Sequence, residues 1–245
     1  MTAETPSRRP GRPPIDRTSL RLPATLLLAG QLLFIVITQF HAGGPANDHP
    51  AVFAGYAGSR TWTAVHLGQF AAMAVLLAGL LALFSALEVR AGTARWAGRF
   101  GAASAVATLA LYGVLQAVDG VALKQAVDAW AGAPDAAQAA RFAGAEAVRW
   151  LEWGVRSYQD VALGLALLFA AAVVRAAGLP GPIAYLIVLC GLAYLAQGWV
   201  AGAEGFTETQ TILIVLAFAL NLAWMTWLVI VAWRVRDRQA PSPAG

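Results

Sequence analysis

The chain has a single cysteine, Cys190, among 245 residues. One thiol makes no internal disulfide, no CxxC redox pair and no thiolate metal cluster. Cys190 lies within an apolar run and reads as a small packed residue. Charge is scarce too: 12% of residues are charged, about half the share in an ordinary soluble domain. That excludes a soluble globular enzyme, a charge-rich disordered chain and a coiled-coil rod. The sequence carries no GxxxxGK[ST] phosphate loop, no HExxH helix and no GxSxG elbow, so it holds none of those devices for ATP, zinc or acyl chemistry. It assigns no cofactor and no catalytic residue. Pro180 and Pro182 fall between two apolar runs rather than inside one. Discontinuous helices, the best sequence sign of a secondary transporter, are therefore not indicated.

What is present is apolar. Hydrophobic residues make up 59% of the chain, and the mean hydropathy is +0.62 although both ends are polar. A bilayer core about 30 Å thick needs about 20 apolar residues in helix. Six runs qualify: Leu22–Phe40, Thr63–Leu87, Phe100–Leu123, Tyr158–Arg175, Ile183–Gly202 and Ile212–Trp233. They are long and continuous rather than alternating, which predicts an all-α polytopic bundle over residues 22–235 and excludes a β-barrel. Residues 1–21, with Arg8, Arg9, Arg12 and four prolines, read as a disordered basic tail; 236–245 read as a second short tail. The first apolar run is longer than the roughly 7–15 residues of a cleaved signal core, so it is expected to stay as a span.

The scarce charges are distributed unevenly. Loop 88–99 holds Arg90, Arg95 and Arg99, and Arg175, Arg234, Arg236 and Arg238 fall on the same side as the basic tail. The positive-inside rule then places both termini in the cytoplasm and the protein in the inner (plasma) membrane. The net charge of +4 and pI near 9.7 follow from this bias; basic residues scattered among apolar spans make no nucleic-acid stripe. Trp62, Trp150, Trp153 and Trp199 near the outer boundary, with Trp96 and Trp233 near the inner one, read as an aromatic belt. Small residues recur at helical spacing: Ala74, Ala78, Ala82 and Ala86 in the second span, Ala162, Ala166 and Ala170 in the fourth, Gly191, Gly198 and Gly202 in the fifth. Such faces let helices approach closely in lipid. Their neighbour could be in the same chain, in a second copy or in a membrane partner.

The outer segment 124–157 is expected to be partly helical, starting at Pro134-Asp135. Within and just beyond it, Glu152, Arg156 and Asp160 form a four-residue charge ladder, read as a solvated or interfacial structure, with a gate or lid as the alternative. The first outer loop, His41-Ala-Gly-Gly-Pro-Ala-Asn-Asp-His49-Pro, reads as flexible and polar.

Ionisable groups inside a span cost about 2.5–3.5 kcal/mol at its centre and need a reason. Here they gather about one turn in from the outer helix ends. Trp62, His66, Gln69 and Met73 share one helix face; Tyr112, Gln116 and Asp119 share another; Tyr194, Gln197 and Glu204 a third. Gln159 and Asp160 open the fourth span, and Asn221 lies near mid-membrane. One reading is an outward-facing polar pocket built from His66, Asp119 and Glu204, with Gln69, Gln116, Asp160 and Gln197 as further candidates, suited to binding or moving a small solute, proton or lipid. The other is a structural or partner-binding subunit whose polar rim only satisfies itself. A third is a metal- or haem-dependent membrane enzyme. His41, His66, Asp119 and Glu204 are metal-ligand types without a signature spacing, and His41 and His66 are the pair that could serve as axial haem ligands.

In layout, the chain resembles six-helix integral membrane proteins of unknown activity from GC-rich bacteria. The carriers are Gly44-Pro-Ala-Asn-Asp-His49, Trp62-Thr-Ala-Val-His66-Leu-Gly-Gln69, Val118-Asp119-Gly-Val-Ala-Leu-Lys124 and Trp150-Leu-Glu-Trp-Gly154. The resemblance implies the six-span fold and no particular chemistry.

Overall fold

A computed structural model describes residues 17–45, 47–87 and 92–234. Among them the fold is all-α. After a short 3-10 turn, α1 spans Arg21–Thr38, α2 His49–Gly58, α3 Trp62–Ala86 and α4 Thr93–Ala117. A π-helical segment, Val118–Leu123, leads into α5, Lys124–Ala131; then come α6 Asp135–Ala177, α7 Gly181–Glu204 and α8 Glu208–Trp233. Six of these stretches are long and apolar enough to cross a membrane. The chain is a multi-pass membrane protein.

The spanning helices follow one another around a ring. α1 packs on α3, α3 on α4, α4 on α6, α6 on α7 and α7 on α8, and α8 closes the ring on α1. Arg21 Nε donates to the Ala232 carbonyl at 3.5 Å, joining the first and last helices at what we term the proximal end. Tight contacts use glycine where backbones touch. A Cβ at Gly30 would stand 2.5 Å from the Leu76 nitrogen, and one at Gly79 would stand 2.7 Å from the Leu27 nitrogen. Gly164 and Gly191 face each other's carbonyls, and Ser157 Oγ donates to Gly198 O at 2.6 Å. The glycine face of α7 is thus spent on α6 of the same chain. The alanine row of α3 is not a buried seam: Ala78 is exposed, and the buried face carries Leu76, Leu77, Gly79 and Leu80 instead.

Two helices run far past the others at the distal end. The Thr93–Ala131 stretch has 39 residues and α6 has 43. At 1.5 Å per residue these are about 58 and 64 Å long, roughly twice a hydrocarbon core. The expected outer segment 124–157 is thus divided: its first part, α5, prolongs the third span, and its remainder is one continuous helix with the fourth span, starting after Pro134 as its sequence suggests and ending at Gly178, whose φ of +82° suits a glycine C′ residue. The projecting halves are stable because they bury a core of their own. Val52, Phe53, Tyr56, Trp62, Leu123, Val127 and Ala145 form a cluster separate from the main bundle core.

That second core explains α2, which begins at His49, at the end of the expected flexible loop. Asp48 caps it by accepting from Ala51 N at 3.1 Å, and Pro50 occupies its first turn. Val52, Phe53 and Tyr56 give it a buried face. Lys124 Nζ donates to the Ala57 carbonyl at 3.3 Å and to Asp128 Oδ1 at 2.6 Å, tying the end of α2 to α5.

Candidate functional site

Where the ring meets the distal core lies a cavity of about 330 Å³. Phe34, Tyr112 and Phe218 line it and meet edge-to-face at ring separations of 6.0–6.1 Å. The loop residues His41 to Pro45 and Asn47 line it from the distal side, and α6 contributes Arg149, Glu152 and Arg156.

Asp119 sits within the π-helical segment, a feature often found at functional sites. Its Oδ2 lies 3.1 Å from His66 Nε2 and 3.8 Å from His41 Nε2. The three ligand-type atoms lie within 4.8 Å of one another. Gly120 makes this convergence possible: a Cβ there would stand 2.9 Å from His66 Cβ. The Gly120 carbonyl also accepts from Trp62 Nε1 at 3.0 Å. Trp62 is therefore buried and hydrogen-bonded, a positioning residue rather than a belt residue; its ring lies against His66 at 4.3 Å. Trp96, Trp150, Trp199 and Trp233 do stay exposed.

The charge ladder of α6 is not a solvated face: Glu152 and Asp160 are buried and Arg156 is half-buried. Arg149 pairs with Glu152 at 2.6 Å, and Arg156 pairs with Asp160 at 2.9 Å. Arg149 also lies between the Tyr56 and Phe206 rings, at 5.5 and 4.6 Å. Burial pushes the Tyr56 phenol up from its usual value, against the pull of Arg149; its hydroxyl stays protonated at neutral pH. Arg149 stands outside the four-residue ladder, and its i,i+3 spacing to Glu152 is the sequence signal for the pair.

The other expected pocket residues divide. Gln69 and Gln116 line the cavity; Gln69 Nε2 donates to Thr38 Oγ1 at 3.2 Å. His66 touches the cavity only through Asp119, and borders an apolar groove of about 290 Å³ between α3 and α4 that also reaches Gln116. Asp160 is fully buried behind Arg156. Gln197 donates to the Leu213 carbonyl at 3.2 Å and ties α7 to α8 outside the cavity. Glu204 does not join His66 and Asp119. It ends α7 with an exposed side chain, where Gly205 at φ +73° turns the chain away; its carbonyl accepts from Asn47 Nδ2 at 3.1 Å. Its contribution is a main-chain tie for the loop. His49 forms a separate pair with Glu146 at 2.9 Å. His41 and His66 have ring centroids 5.0 Å apart and aim at one carboxylate oxygen. That arrangement leaves no layer between them for a haem.

Among the described residues, Asp119 Oδ1, Gln116 Oε1 and Arg149 Nε are buried and find no hydrogen-bond partner. All three belong to cavity-lining residues. No family model, curated protein or solved structure matches the chain, so the geometry carries the functional reading.

Proposed function

We propose that this membrane protein binds a small polar solute in the distal cavity, with both chain ends cytoplasmic and the cavity facing out of the plasma membrane. The observation that carries this reading is that, among the described residues, three of the ten buried side-chain atoms without a partner belong to residues lining one cavity. A buried polar atom left without a partner costs about 1–3 kcal/mol, and a solute in the cavity would offset that cost for these three. Asp119 Oδ1 and Gln116 Oε1 are acceptors and Arg149 Nε–H is a donor. A solute that answers them carries both donor and acceptor groups. The cavity volume is at the lower end of ordinary ligand sites, about 300–1,000 Å³, which suits a compact molecule. A purely self-satisfying rim would show these atoms paired.

The test is thermal unfolding of detergent-purified protein with glycine, acetate and methylammonium as probes. Glycine, which offers donor and acceptor together, is expected to raise the unfolding temperature more than either half-molecule, and Gln116→Leu should remove the difference. Equal responses to the three probes, or none, overturn the reading.

A further inference from the structure

We propose that His41, His66 and Asp119 form a binding site for one divalent first-row transition metal, with its open coordination positions directed into the distal cavity. This rests on the cavity reading and names what sits at its edge.

Hydrogen bonding around His66 is the first argument. Its Nδ1 lies 2.8 Å from the Trp62 carbonyl, and a carbonyl only accepts, so Nδ1 carries the hydrogen. In the neutral ring Nε2 is then a lone pair, facing another acceptor, Asp119 Oδ2, at 3.1 Å. Two lone pairs meet at that separation when a positive centre lies between them. A backbone carbonyl that accepts from one imidazole nitrogen while the other points at a cation is the usual outer shell of a metal-bound histidine.

His41 separates a metal from a shared proton. Its Nε2 points at the same carboxylate oxygen from 3.8 Å, too long for a hydrogen bond. One proton between His66 and Asp119 leaves that approach unexplained. A metal ion does not: with ligand bonds of about 2.0–2.2 Å, neighbouring ligand atoms stand about 3–4 Å apart. Two edges of the triad already have that length. The third closes with a small swing of the His41 ring, which sits in a loop rather than a helix.

Charge gives an independent argument. Around the cavity the buried Arg149 and the half-buried Arg156 are each paired, with Glu152 and Asp160. Asp119 is the carboxylate left over, and the groups beside it are the two imidazoles. A buried carboxylate is costly without a compensating cation. Two histidines and one carboxylate, with positions left open, suit Zn²⁺ or Fe²⁺. His41 and Asp119 line the cavity, so a solute could reach the metal from there.

The experiment uses tag-free full-length protein, whose three histidines and one cysteine keep background binding low. Titration with Co²⁺ should show one site per chain. His66→Ala and Asp119→Ala should each weaken it by more than about 100-fold, the upper end for outer-shell losses; His49→Ala should leave it unchanged. Because the variants could fail to fold, wild-type protein loaded with Cu²⁺ is also read by pulsed electron paramagnetic resonance, where two imidazoles are expected on the metal. Fewer than two imidazoles, less than one site per chain, or equal loss in His49→Ala overturns the proposal. Glycine-dependent stabilisation of metal-free protein separates the two readings: it survives if only the metal site is wrong, and is absent if the cavity itself is not a solute site.

Discussion

Two of the buried polar clusters among the described residues differ in one respect. In mid-bundle, Asn221 Nδ2 donates to Tyr194 Oη at 3.2 Å, while its Oδ1 accepts from Trp224 Nε1 at 2.9 Å and from Cys190 Sγ at 3.2 Å. None of these side-chain atoms is left over. The cluster joins α7 to α8, is surrounded by apolar core and is complete. At the distal end, Asp119, Gln116 and Arg149 each retain an unpartnered atom beside a cavity. Both clusters cost desolvation, and the first recovers it internally. The second keeps atoms that the solute proposed above would answer. Polarity within a membrane bundle is therefore not itself a functional sign, and neither is incompleteness alone, since Gln31, Gln159 and Gln210 also keep unpartnered buried atoms away from this cavity; the coincidence of such atoms with a cavity sets the distal cluster apart.

The largest expected effect on this contrast comes from Arg149→Met. Removing one partner of a buried ion pair costs about 3–5 kcal/mol because the other charge is left uncompensated. The double variant Arg149→Met with Glu152→Leu should recover most of that loss in a denaturant titration. If the single variant is as stable as wild type, the pair is not buried as described. Next is Asn221→Ala, which strands the Trp224 donor and leaves the Tyr194 hydroxyl oxygen without its donor, and should cost about 1–3 kcal/mol while leaving Co²⁺ and glycine responses untouched. An altered Co²⁺ affinity there would couple two clusters described as independent. Gly120→Ala should cost about 1–3 kcal/mol through overpacking against His66, and should weaken Co²⁺ binding because the ring is displaced from Asp119. Gln116→Leu should change stability little or raise it, since it replaces an unsatisfied amide, and yet abolish the glycine response. Glu204→Gln is the smallest, within about 0.5 kcal/mol as for an exposed surface change, with no effect on either ligand.

Much of this was legible from residues, for identifiable reasons. Apolar length marks a span, so the six spans were visible. The convergence of His66 and Asp119 followed from their equal depth on adjacent helices. What sequence pattern does not carry is where a helix stops being solvated. The Glu152–Arg156–Asp160 ladder has the composition of a water-exposed face, and it is covered because its Glu152 end pairs with Arg149 beneath Tyr56 and Phe206 while Asp160 lies fully buried behind Arg156. Asp48-His-Pro was a readable helix start within a segment that Gly43, Gly44 and Pro45 made look flexible. Glu204 lies on the expected helical face, but α7 ends there, so periodicity no longer governs its side chain. The π-helical turn at Asp119 has no sequence sign at all, and the burial of Arg149 is recognisable only once Tyr56 and Phe206 are placed around it.

The central claim is that the distal cluster lies open to a solute while the mid-bundle cluster is closed. It is tested most directly by thiol labelling of Gln69→Cys protein with a charged, membrane-impermeant methanethiosulfonate. Gln69 is buried but lines the cavity, and the native Cys190, fully buried in mid-bundle, is the comparator within the same molecule. The account predicts rapid modification at position 69 and none at Cys190. Equal reactivity at the two positions, or silence at both, would contradict it.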